Sequence, residues 1–388
     1  MRRRKIFLIL LITVLLLPLW MWLAWVFTPK KKMVVAIVDK TVMTKTGQEH
    51  ISFTWILNHE RYTKNNKELY KTSNDYFGFF PQEGEKFRLK GLERFSPALL
   101  EKLSNDADMV YFTDTYGVYS NEWYTKKNIS ERSGIVYGGM SEQDIALLNN
   151  MKSKRKLIIT EFNTIGSPTK PEIRASFENM FALKWTGWTG RYFSLLDTAL
   201  NTELPKWLVN NYKNQHAGQW PFRNAGIAFV NDVDQVVVIE EKTHLTDAMT
   251  YIQSNDYGQK KLGLPEQIKY PFWFDIMQPD AAVNNTIAEF TLAVNTTGAA
   301  ELTKNNIPSH FPAITMHKGS DYQFYYFSGD FCDNPVSLGT SYFKGIRLFR
   351  SYFYKNDKPG ERASFFWNFY QPLMASILND YYRQMPKH

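Results

Sequence analysis

Four short apolar runs, each closed by an acidic residue or a pair of glycines, limit what this chain can fold into. Residues 34–38 end at Asp39, 109–113 at Asp114, 134–137 at Gly138-Gly139, and 157–160 at Glu161. Runs of this length with no polar alternation belong to strands buried on both faces. Helical patterns separate them, at residues 51–60, 97–103, 141–150 and 171–183. Ser96 sits as an N-cap before Pro97 at the first helical position, and Ser141 caps the next helix with Asp144 three residues on. Strand–helix alternation predicts an α/β fold, a doubly wound, mostly parallel sheet covered on both faces, over residues 33–195.

Residues 196–388 read as an α+β continuation of the same globule. Asn231-Asp232-Val233-Asp234 joins two apolar runs as a hairpin, and residues 290–294 and 322–327 are further strand candidates. The C-terminal residues 363–385 are helical, with Phe366, Phe369, Leu373, Ile377 and Tyr381 near helical spacing and a kink at Pro372.

The N-terminal residues 6–27 carry no charge. A continuous helix of that length would cover the roughly 30 Å hydrocarbon core of a bilayer. Trp20, Trp22 and Trp25 gather at one end, as rings do at a membrane boundary. The expectation is therefore a single-pass transmembrane helix acting as an uncleaved signal-anchor, with residues 1–32 as tail and anchor. Arg2, Arg3, Arg4 and Lys5 outnumber Lys30, Lys31 and Lys32, so the N-terminus is placed in the cytoplasm and the bulk of the chain outside it.

Those seven residues account for most of the formal charge of +8. No acidic residue precedes Asp39, so of the 46 Lys and Arg and 38 Asp and Glu, residues 33–388 keep 39 and 38. A basic footprint for nucleic acid is missing. Cys332 is the single cysteine, which excludes an internal disulfide and thiolate zinc clusters. There is no Gly-x-Ser-x-Gly, no His-Glu-x-x-His, no phosphate loop and no dinucleotide fingerprint. No cofactor is expected, and no metal site is assigned.

The residues just past each strand carry the functional signal. In open α/β sheets ligands bind beyond the carboxyl ends of the strands. Asp39, Asp114-Thr115-Tyr116-Gly117, Glu161-Phe162-Asn163 and, after the late strand, Asp330 and Asp333 would converge there. Carboxylates brought together raise one another's pKa unless a cation or a hydrogen-bonding ligand joins them. Acidic residues at strand ends also cap helices and make turns. Taken as a set, Asp114, Glu161 and Asp330 are catalytic candidates, and Asp39, Tyr116, Asn163 and Asp333 are ligand-binding ones. Trp185-Thr186-Gly187-Trp188-Thr189-Gly190-Arg191 adds Trp185, Trp188 and Arg191 as stacking candidates, with a core turn as the alternative reading.

The 34–38 strand, the Asp114-Thr115-Tyr116-Gly117 turn, Gly138-Gly139 before a helix, the 157–160 strand and Tyr326-Phe327-Ser328-Gly329-Asp330 resemble the class I glutamine amidotransferase-like fold. In particular they resemble its degenerate, trehalose-utilisation-type relatives. The resemblance covers residues 33–195 and 310–335. It implies a doubly wound sheet used for binding or for another chemistry. The nucleophilic cysteine of the active members has no counterpart here at a strand–helix elbow.

These readings point to a membrane-anchored extracytoplasmic protein that binds or helps assemble envelope or exported polysaccharide. The alternatives are a glycoside-processing enzyme with Glu161 and Asp114 as acid and base, or a scaffold for a membrane complex. The expected partners are a lipid bilayer, a glycan and a membrane protein, and not nucleic acid.

Overall fold

A computed structural model describes residues 13–46, 49–124, 133–355 and 358–385. Its centre is a ten-stranded sheet in the order Gln267–Lys269, Leu245–Ser254, Asn285–Val294, His310–Lys318, Gln323–Phe327, Leu157–Glu161, Met109–Asp114, Val35–Asp39, Phe77–Pro81, Phe87–Lys90. The strands from Gln323–Phe327 to Phe77–Pro81 run parallel. Every residue of Val35–Asp39, Met109–Asp114 and Leu157–Glu161 is buried, as unbroken apolar runs require.

The parallel strands lie between two layers. Pro97–Asp106, Glu142–Ser153 and Pro171–Phe181 pack on one face through Leu100, Leu147, Leu148, Phe177 and Phe181. Ile51–His59 and the C-terminal Gln371–Gln384 pack on the other through Phe53, Trp55, Leu373, Met374 and Ile377. Ser141 and Asp144 form a reciprocal capping box, and the Ser96 hydroxyl accepts from the Leu99 amide.

Three expectations are corrected. The sheet is mixed rather than mostly parallel: four of its pairings are parallel and five antiparallel. The reason lies in Leu245–Ser254 and Asn285–Val294, whose buried positions are interrupted by exposed ones. Such strands can face water on one side, which suits antiparallel pairing. Second, Ile135–Tyr137 does not enter the large sheet. It pairs with Val118–Tyr119 in a separate two-stranded ribbon.

The third correction concerns the N-terminus. Among the described residues, 13–15 are helical, Leu16 is a turn, and Leu17–Phe27 forms a helix of 11 residues, about 16 Å long. Residues 6–12 of the expected span lie outside those described. Among the described residues no helix is long and apolar enough to cross a membrane. That removes the basis of the expected single-pass anchor and of the extracytoplasmic placement. The end of this helix docks on the globule instead. The Trp25 indole donates to the Asn58 carbonyl at 3.0 Å, and Arg61 donates to the Trp25 carbonyl at 2.7 Å while lying over its ring.

A second, four-stranded antiparallel sheet has the order Val236–Glu240, Gly226–Asn231, Leu183–Phe193, Trp273–Pro279. Lys206–Gln215 packs on it through Leu208, Val209 and Tyr212. The Trp-rich segment is thus a strand, with a register shift between Trp185 and Thr189. This sheet stands beside the carboxyl ends of the parallel strands and walls off the space above them.

Candidate functional site: a carboxylate-lined cleft

Parallel alignment brings the strand-end acids to one edge of the sheet. Asp39 and Asp114 are register partners, and Phe327, three residues before Asp330, pairs with Glu161. Above them opens a cleft of ≈ 1210 Å³. Its floor comes from the strand ends, with Asp114, Tyr116, Phe162, Asn163, Asp330 and Asp333. Its far wall comes from the second sheet and the Lys206–Gln215 helix, with Trp185, Thr189, Arg191, Trp207, Phe272 and Trp273.

Asp114 is held at the floor by two donors on Oδ1, the Thr41 hydroxyl at 2.7 Å and the Tyr116 amide at 2.5 Å. Burial pushes its pKa up to about 7 against those hydrogen bonds, and neighbouring Asp39 adds to the rise. Gly117 has φ +92, and its amide donates to the Thr41 hydroxyl at 2.9 Å. A Cβ there would meet the Tyr137 carbonyl at 2.1 Å, so only glycine fits the turn that presents Asp114.

Asp330 and Asp333 are joined by a residue that strand-end reasoning did not single out. Glu49 enters from the loop after the first strand, and one oxygen from each of Glu49, Asp330 and Asp333 lies within 4.8 Å of the others. Burial first, then Asp333 and Asp330, raise the Glu49 carboxyl well above the usual range. Burial and Asp333 do the same to Asp330, with Arg362 opposing. Arg362 donates to Asp333 at 2.9 Å and to the Asp330 carbonyl at 3.3 Å, and its guanidinium lies 3.2 Å from the centre of the Phe272 ring. Three oxygens at this spacing could coordinate a divalent cation with contacts of about 2.3–2.6 Å. Arg362 already supplies one positive charge there.

Other nominated residues take different places. Asp39 is fully buried below the cleft, accepting from His50 Nδ1 at 2.7 Å and from the Thr41 amide at 3.2 Å. Glu161 is fully buried too, accepting from the Tyr111 hydroxyl at 2.7 Å and the Cys332 amide at 3.2 Å. It supports the floor without lining it. Trp188 belongs to the core, while Trp185 lines the cleft with its indole hydrogen tied to the Trp188 carbonyl. Arg191 lines the cleft, paired with Glu203 at 2.5 Å and stacked near Phe193 and Phe272.

Asn163 is in the left-handed region, φ 61, which Asn tolerates better than most residues. Its amide donates to Asp275 Oδ2 at 3.0 Å, and Asp275 also receives the Thr189 hydroxyl at 2.8 Å and the Tyr326 hydroxyl at 3.1 Å. Asp275 thereby ties the floor to the far wall, and burial pushes its pKa up to about 6 against those hydrogen bonds. Glu49, Arg362 and Asp275 escape strand-end logic because they come from a loop, the C-terminal segment and the second sheet. For Glu49 a signal existed: every loop that leaves the end of a parallel strand emerges at this edge.

Neither a family model nor a curated protein matches this chain. Solved structures with partial overlap include a ThuA-like protein from Parabacteroides merdae, at TM-score 0.35 and 10% identity, covering 77% of this chain and 79% of that one. ThuA-like proteins are the trehalose-utilisation group that the sequence resembles. Agd3, a carbohydrate deacetylase, overlaps at TM-score 0.27 and 8% identity, with 78% of this chain and 30% of that one covered. A β-galactosidase from Bacillus circulans sp. alkalophilus overlaps at TM-score 0.27 and 10% identity, covering 59% and 22%. The chain spans about a fifth of the length of that β-galactosidase. Overlap at these scores assigns no residue a role.

Proposed function

We propose that the cleft binds a carbohydrate chain. The observation that carries this is the pairing of wall and floor: Trp185, Trp207, Phe272 and Trp273 line the same ≈ 1210 Å³ space as Glu49, Asp114, Asp330 and Asp333. A sugar ring offers an apolar C–H face, which packs on aromatic rings, and hydroxyls, which donate to carboxylates. The cleft is large enough for an oligosaccharide rather than a single ring. Titration of the full-length protein against a glycan array, followed by calorimetry on the best ligand, tests the reading. Binding that falls at least tenfold in Trp273→Ala supports it, and no binding to any glycan defeats it.

One observation favours a second step on the same ligand. Asp114, with its pKa pushed up to about 7, can hold or release a proton near neutral pH. Glu49 and Asp330 bring oxygens within 4.8 Å of each other, near enough for both carboxyl groups to face one substrate carbon. In this glycoside-processing reading one of this pair, ionised, attacks the anomeric carbon while a protonated neighbour donates to the leaving oxygen, and water then hydrolyses the glycosyl-enzyme bond and returns the proton to that neighbour. Glu161 takes no part, because no face of it reaches the cleft. Release of reducing ends from a bound glycan, lost in Asp330→Asn, is the expected result.

A further inference from the structure

At the opposite edge of the large sheet lie two adjoining grooves whose charge is unlike the rest of the molecule. Lys318 marks the place: it pairs with Gln323, the first residue of the parallel strand whose carboxyl end leads to Asp330. The groove that holds Lys318 thus lies at the amino end of that strand, away from the cleft. One, of ≈ 610 Å³, is lined by Lys261, Lys318, Arg347 and Arg383, with Asp380 as its one carboxylate. The other, of ≈ 590 Å³, is lined by Lys269, Arg347 and Arg350 and, among the described residues, by no carboxylate. Arg347 belongs to both. Among the described residues, six cations against one acid stand out where residues 33–388 as a whole balance 39 basic with 38 acidic side chains.

Local structure explains how the cations are brought together. Arg347 and Arg350 sit three residues apart in the 3₁₀ segment Ile346–Tyr352, where side chains at that spacing lie one above the other. Arg350 is held in place by a 2.9 Å bond from its Nε to Asn368 Oδ1, and Asn368 also lines the groove. Among the described residues no ion pair joins Arg347, Arg350 or Lys261 to a carboxylate, whereas Lys318 is paired with Asp380. Burial first, then Arg350, draw the Arg347 guanidinium below its ordinary value. Cations held this close repel one another until an anion lies between them. Guanidinium forks match the oxygens of phosphate in pairs, and ammonium groups add point charge.

We propose that the two grooves form one binding site for a small polyphosphorylated ligand, with Arg347 and Arg350 gripping one phosphate and Lys261, Lys318 and Arg383 a second. A phosphate monoester carries close to two negative charges at neutral pH, a carboxylate only one. Phosphate therefore suits an excess of cations better than a uronate does. Grooves of this size admit a small molecule. The site is independent of the cleft and stands whether or not the cleft binds sugar.

The test is calorimetric titration of the full-length protein with inorganic tripolyphosphate at low and at moderate salt. Binding is expected, weakening as salt rises, and falling at least tenfold in Arg347→Ala and in Arg350→Ala. Asp380→Asn, which removes the one carboxylate among the described lining residues, should bind severalfold more tightly. If either alanine variant fails to fold, Arg347→Gln and Lys261→Ala carry the same expectation. No binding at low salt, or binding that none of these changes affects, overturns the proposal. Tighter binding of polygalacturonate than of tripolyphosphate overturns the phosphate assignment, and tighter binding of duplex DNA overturns the small-molecule one.

Discussion

The Thr41 hydroxyl donates to Asp114 Oδ1 at 2.7 Å and itself accepts the Gly117 amide at 2.9 Å, so one side chain locks the ends of two neighbouring parallel strands together. That lock holds Asp114 at the cleft floor in a setting dry enough to push its pKa up to about 7. The ordinary carboxylate value is 3.8, so the folded protein binds this proton more tightly than the unfolded chain does. The contribution of Asp114 to stability is therefore present in acid and is lost as pH rises from about 4 to about 7. Asp114→Asn keeps an oxygen for both donors and has no charge to lose. Thermal melts should show it more stable than wild type at pH 8, by roughly 1–4 kcal/mol, and little different at pH 4. A variant less stable than wild type at pH 8 would contradict the assignment.

Lys40 is buried beside Asp144 at 2.6 Å and bonded to the Gly139 carbonyl at 3.0 Å, with Glu93 as a further partner. Burial works against its charge, yet Asp144 and Glu93 outweigh it and the pKa lies above the ordinary lysine value. Lys40→Met leaves Asp144 buried without its cation and should cost about 3–5 kcal/mol in urea unfolding. Adding Asp144→Asn should recover part of that loss. A double variant as unstable as the sum of the singles would show the two side chains to be uncoupled.

Gly117→Ala tests the turn. The alanine would need φ near +92 and a Cβ 2.1 Å from the Tyr137 carbonyl, costing about 1–3 kcal/mol for the backbone alone. We expect lower stability and at least a tenfold loss of glycan affinity, because the Thr41 lock on Asp114 goes with it. Unchanged melting and unchanged affinity would mean that the turn does not position Asp114.

Glu49 gives a prediction of opposite signs. Burial first, then Asp333 and Asp330, hold its pKa well above the usual range, so in alkali Glu49→Gln removes the cost of ionising it and should raise the urea midpoint. The same change removes an acceptor from the cleft and should weaken glycan binding by roughly tenfold. A variant that loses stability and keeps its affinity would refute both halves.

Much of the cleft floor could be read before the fold was known, and the reason is geometric. A parallel strand delivers the residues after it to one edge of the sheet, so Asp114, Tyr116, Asn163, Asp330 and Asp333 were nominated from position alone, and all five line the cleft. Local sequence does not say how deep a strand-end residue sits. Asp39 and Glu161 obey the same rule and are sealed beneath the floor by His50, Tyr111 and the Cys332 amide. Trp185 and Trp188, three residues apart on one strand, are both buried in separate apolar clusters, and of the two it is Trp185 that lines the cleft.

The chain by itself determined the buried parallel strands, the capped helices between them and the convergence of acids at one edge, because periodicity, capping and strand direction are local properties. Tertiary structure alone decided the rest. Arg362 reaches Asp333 across 29 residues of sequence, and Asp275 reaches Asn163 across 112. The N-terminal apolar run likewise reads as a membrane span in isolation, whereas its described part ends in the helix Leu17–Phe27, whose Trp25 bonds Asn58 and Arg61. Contacts of that kind depend on where separate elements come to rest against one another, and no spacing along the chain records it.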